Sequence, residues 1–71
     1  MSFKDECRLI TIAEQAIKSS DFLTCLDYML FLADAELIAS KLNISEELAA
    51  KLKDVTERGK LETYLKNVLV M

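Results

Sequence analysis

The side chains able to do chemistry in this chain are few and poorly spaced for it. Its 71 residues include two cysteines, Cys7 and Cys25, and no histidine, so the usual general base near neutral pH and the commonest metal ligand are both missing. Two thiols alone cannot complete a zinc site. The sequence holds neither a CxxC pair nor a glycine-rich phosphate loop, its single glycine being Gly59. What remains is carboxylate: Asp27 with Asp34, Asp34 with Glu36, and Glu46 with Glu47. An acid with no pocket and no electrophilic partner is a solubility group first, so an enzyme, a metal and a cofactor are all unexpected.

A disulfide is the remaining covalent possibility. If the first two helices form a hairpin turning at Ser19 and Ser20, residue n faces roughly 39 − n, and Cys7 lies opposite Leu32. It then misses Cys25 by about 7 residues, roughly 10 Å at 1.5 Å per residue, which a disulfide cannot span. Both cysteines are expected to be small buried apolar residues.

The elements that must carry any site read as helices. Phe3, Cys7, Ile10, Ala13 and Ile17 recur at spacings of three and four, widened by Leu9, Ile12 and Ala16, and predict a helix over 3–18 whose polar side includes Lys4, Asp5 and Arg8. Ser19, Ser20 and Asp21 make a tight break with capping oxygens. The stretch Phe22–Ala33, FLTCLDYMLFLA, is apolar except at Thr24 and Asp27, and it predicts a central second helix over about 21–42. Asn43 and Ser45, followed by Glu46 and Glu47, stop that helix and cap a third over 45–58, with Ile44, Leu48, Leu52 and Val55 on one row. The apolar phase then breaks at Gly59, which suits a left-handed residue closing one helix before a fourth over 60–70; a continuous helix through Gly59 is the alternative. The end, NVLVM, is apolar and expected to dock. The predicted fold is a single all-α domain of residues 1–71, a compact bundle of three or four helices with an αα-hairpin at its N-terminus.

Composition bounds the partners. Hydrophobic residues make up 52 % of the chain, above the roughly 45 to 50 % usual for soluble domains. A chain this short has trouble enclosing such a surplus alone, so a homodimer is expected. The longest apolar region, Phe22–Leu42, carries Asp27, Asp34, Glu36 and Lys41, which argues against membrane insertion. The opening MSFKDECR mixes both charge signs and has no cationic region ahead of an apolar run, so a cytoplasmic setting is expected. The net charge of −3 weighs against phosphate backbones, and Lys51, Lys53, Arg58 and Lys60 are interleaved with Glu46, Glu47, Asp54 and Glu57.

The expected role is non-catalytic protein–protein binding, as an adaptor, inhibitor or chaperone-like subunit. On the second helix, Phe31 and Ile38 are the expected anchors beside Leu30, with Asp27 and Asp34 fixing register; Leu65, Val68 and Leu69 complete the candidate face. The alternative is a small helix-turn-helix DNA-binding regulator opening on Glu47–Leu52. There the next residues, Lys53–Arg58, offer no turn, and Glu57 and Glu62 would fall on the recognition helix.

Overall fold

The computed structural model describes residues 2–70, and all regular structure among them is helical. Five helices follow one another: α1 (Phe3–Lys18), α2 (Ser20–Leu32), α3 (Ala35–Leu42), α4 (Glu46–Glu57) and α5 (Leu61–Val70). The first four start in the same way. A Ser or Asp with extended backbone precedes each, and its side-chain oxygen accepts from the backbone N–H three residues on: Ser2 from Asp5 (3.2 Å), Ser19 from Phe22 (3.2 Å), Asp34 from Leu37 (2.8 Å) and Ser45 from Leu48 (3.2 Å). Each cap satisfies an amide that the helix leaves free.

The helix expected over 21–42 is two helices, divided at Ala33 and Asp34, both in extended backbone. As a straight rod, its 22 residues would measure about 33 Å. The folded chain spans only 26 × 26 × 18 Å. Folding the rod in two lets α4 cover both halves, since it packs on α2, α3 and α5, while α1 packs on α2 and α5. The closest packing of α2 is with α1 and α4 alone, so the second helix is not the centre that the other helices surround. The Cα radius of gyration, 10.8 Å, matches the roughly 11 Å of a globule this size.

The core collects Leu9, Ile12, Ala13 and Ala16 from α1, Leu26 and Leu30 from α2, and Ile38 and Ala39 from α3. Ile44 joins them from the α3–α4 turn, with Leu48, Ala49 and Leu52 from α4 and Leu61 and Leu65 from α5. On α1 only part of the expected apolar face turns inward. The buried stripe is Leu9, Ile12, Ala13 and Ala16, whereas Phe3, Ile10 and Ile17, expected on the same face as Ala13, stay exposed. Gly59 ends α4 at a φ of +71°: its own N–H donates to the Thr56 carbonyl and that of Lys60 to the Val55 carbonyl, a closed Schellman pattern. The expected break between the last two helices is present. Asn43 closes α3 at a φ of +57° in a similar way, the Ile44 N–H reaching back to the Ala39 carbonyl. At the far end Val68 is half-buried but Leu69 and Val70 are exposed, so the tail expected to dock is covered only in part; Met71 lies outside the described residues. No helix among the described residues is long and apolar enough to cross a membrane.

Candidate docking face

The two breaks around α3 settle what α2 shows to solvent. At its C-terminus the Lys53 ammonium, reaching across from α4, donates to the carbonyls of Leu30 (3.2 Å), Phe31 (3.0 Å) and Ala33 (2.7 Å). Three donors meet three carbonyls left free by the end of the helix, and the cation sits at the negative pole of the helix dipole. With its last turn tied to α4, α2 directs Leu26 and Leu30 inward and a second set outward.

That outward set is the candidate site. Tyr28, Phe31 and Leu32 are 69 %, 61 % and 65 % exposed, and Asp21, Thr24 and Cys25 beside them are exposed too. At 100° per residue, positions 21, 24, 25, 28, 31 and 32 fall within an arc of about 120°, so they share one face. Two aromatic rings and a leucine thus share one exposed flank of α2.

The other half of the molecule is held by α1. The buried Asp5 carboxylate accepts from the Ser45 backbone N–H (3.0 Å) and from the Ser45 hydroxyl, while Arg8 Nε donates to the Leu42 carbonyl (3.2 Å). One helix thereby caps both ends of the α3–α4 turn with complementary charge. The Ser45 hydroxyl bond holds the Asp5 carboxyl below its ordinary value of 3.8, outweighing burial, which alone would raise it; the Ser45 backbone N–H and the Lys4 charge add to the lowering.

The expected site residues separate by burial. Leu30, Ile38 and Leu65 are fully buried, so they belong to the core and leave the docking set. Phe31 is exposed with Asp27 on α2, and Asp34 is spent on the α3 cap. Val68 and Leu69 lie on α5, where Val68 lines a shallow groove with Leu9, Ile10, Lys51, Tyr64 and Asn67 and the Lys51 ammonium stands 5.6 Å from the Tyr64 ring centre. Tyr28 and Leu32, exposed beside Phe31, were not among the expected surface residues although their row with Cys25 is evident in the sequence; periodicity identifies a row without saying which row faces out. Both cysteines, expected buried, are exposed, and they are unpaired. Among the described residues no three His, Cys, Asp or Glu side chains gather as a metal site.

The helix-turn-helix register opening on Glu47–Leu52 is replaced, because α4 runs unbroken from Glu46 to Glu57. The chain does contain two helices joined by a short turn, α3 and α4 through Asn43, Ile44 and Ser45. No family model, curated protein or solved structure matches the chain.

Proposed function

We propose that this chain is a small non-catalytic protein that works by binding protein, as an adaptor, inhibitor or chaperone-like subunit, and that it does so as a homodimer. The observation carrying this reading is the outer face of α2, where Tyr28, Phe31 and Leu32 are each more than three-fifths exposed on adjacent turns. Aromatic anchors standing free in a chain with an apolar surplus are what an interface centre requires. Light scattering on the purified protein tests it: a mass near twice 8.0 kDa is expected, falling to 8.0 kDa in Phe31→Asp with helicity unchanged. A monomer unaffected by Phe31→Asp overturns the reading.

A DNA-binding role is the second reading, supported by the α3–turn–α4 unit, whose three-residue connection and left-handed Asn43 suit that motif. Glu46 and Glu47, both exposed, occupy the first turn of what would be the recognition helix and would repel phosphate there. Retention on duplex DNA at low salt, lost steeply as salt rises, would favour this role; passage through the column at low salt ends it.

A further inference from the structure

The joint between α2 and α3 is built from residues that would carry a helix straight on. No Gly or Pro lies between Ser20 and Leu42, and Ala33, Ala35 and Glu36 are good helix formers. Resting on the homodimer reading above, we infer that this joint is a hinge with a second state. In that state α2 and α3 run together as one helix over 20–42, and two copies exchange halves, α1 and α2 of each packing on α4 and α5 of the other.

The atoms that hold the break are the first reason. In a continuous helix the carbonyls of Leu30, Phe31 and Ala33 accept from the backbone N–H groups of Asp34, Ala35 and Leu37. In the broken form the Lys53 ammonium takes those same three carbonyls, and the Asp34 carboxylate takes the Leu37 N–H. One side chain occupies the acceptors and another occupies a donor. Removing both frees groups that helical bonds would pair again.

Phase is the second reason. At 100° per residue through a straightened joint, Tyr28, Phe31 and Leu32 fall within one arc of about 120° with Ala35, Ile38 and Ala39, the side of α3 that meets the core. Leu26 and Leu30, the inward pair of α2, face the other way. The flank that the broken form leaves in water is therefore an extension of the surface that α3 buries, and straightening moves it to the covered side. The straight helix then has apolar faces on opposite sides, and a single α4 cannot lie on both. A second copy supplies the other.

What crosses the joint is the third reason. Between the two halves, α1 packs on α5 and α2 on α4, and Asp5 and Arg8 hold the α3–α4 turn. Each of these contacts can be made to a second copy in the same form as within one chain, so exchange sacrifices only the contacts at the joint itself.

Ala35→Pro separates the two states. Position 35 opens α3, where proline fits, and Asp34 already has the extended backbone that a residue before proline needs. In the continuous helix the same proline loses the bond to the Phe31 carbonyl and breaks the rod. The full chain is refolded at high concentration, sized by sedimentation equilibrium and followed by hydrogen exchange. The parent is expected to give a dimer whose Ala35 and Glu36 amides, free at the start of α3 in the broken form, exchange more than about tenfold slower than in the monomer. Ala35→Pro, with helicity unchanged, is expected to remain monomeric. The double variant Asp34→Ala/Lys53→Met, which releases both sides of the break, is expected to favour the dimer by about tenfold or more, and it decides the matter should the proline variant not fold. A dimer that survives Ala35→Pro, a dimer with unprotected amides at 35 and 36, or a double variant that dimerises no better than the parent overturns the hinge while the homodimer reading stands. A protein that is monomeric at every concentration overturns both.

Discussion

The two turns that bound α3 do similar work with different materials. Between α3 and α4 the chain is held from outside by two side chains of α1: Asp5 on the opening amide and hydroxyl at Ser45, and Arg8 on the closing carbonyl of Leu42. Between α2 and α3 a single cation, Lys53, gathers three carbonyls at one end, and the other end has only the local cap from Asp34. The first turn is closed on both sides and has Ile44 buried within it; the second leaves Phe31 and Leu32 facing solvent. The difference teaches that a helix end anchored by one cation from a single side can still present an apolar flank, the one proposed above for docking.

The hardest way to break this contrast is to remove the cation. Lys53→Met keeps most of the apolar stem but strips the ammonium from three carbonyls, and charge-assisted hydrogen bonds of this kind are worth about 2 kcal/mol together once partial exposure is allowed for. For a chain this small the melting temperature should fall by roughly 8 to 16 °C, read by circular dichroism. Lys60→Met, at an exposed position, should stay within about 0.5 kcal/mol of the parent. Equal melting temperatures for the two variants would mean that Lys53 contributes nothing to the break.

A smaller pair of changes sharpens the contrast. Ser45 caps α4 and also donates to Asp5, whereas Asp34 caps α3 alone. Ser45→Ala should therefore cost close to 2 kcal/mol and Asp34→Ala about 1 kcal/mol, the span seen for lost N-caps. Urea midpoints at neutral pH decide it; the reverse order would deny α1 its role in holding the α3–α4 turn.

What the sequence discloses divides along the same line. Local chemistry is readable: the Ser19 and Ser45 caps, the phase break at Gly59 and the limits of α1, α4 and α5 to within about a residue all follow from neighbours a few positions apart. The division at Ala33 and Asp34 is not, because FLADAELIA contains neither Gly nor Pro and every residue there tolerates a helix. Its cause lies across the fold, in Lys53 some twenty positions away and in the limited extent of the core. Asp5 and Arg8 read as members of the polar side of an amphipathic helix for the same reason: their partners sit 40 and 34 positions along the chain. On α1 and α2, apolar residues occur on more than one side at similar periodicity, and which of them turn inward is set by contacts with other helices that periodicity does not contain. Phe31, expected at the surface, is exposed, whereas Leu30 and Ile38 were claimed by the core.

The smallest effect expected at neutral pH comes from Asp5→Asn, and its value lies in its pH dependence. Asn is close in size to Asp: its Oδ1 can still accept from the Ser45 N–H, and its Nδ2, standing where Oδ2 was, can donate to the Ser45 hydroxyl oxygen, so near neutrality the turn keeps two bonds, one of them reversed, and loses the strength that charge adds. In the folded protein the Asp5 carboxyl ionises below its ordinary value of 3.8, so folding favours the ionised form. That contribution is fully present above the unfolded value and is lost as pH falls through the folded one. Titrating urea midpoints downward from neutral pH, parent and variant should differ by a constant amount until pH approaches 4, then converge as Asp5 takes up its proton. A difference that persists unchanged to the lowest pH would show that the clamp on the α3–α4 turn works through shape alone, and the contrast between the two turns would then rest on Lys53.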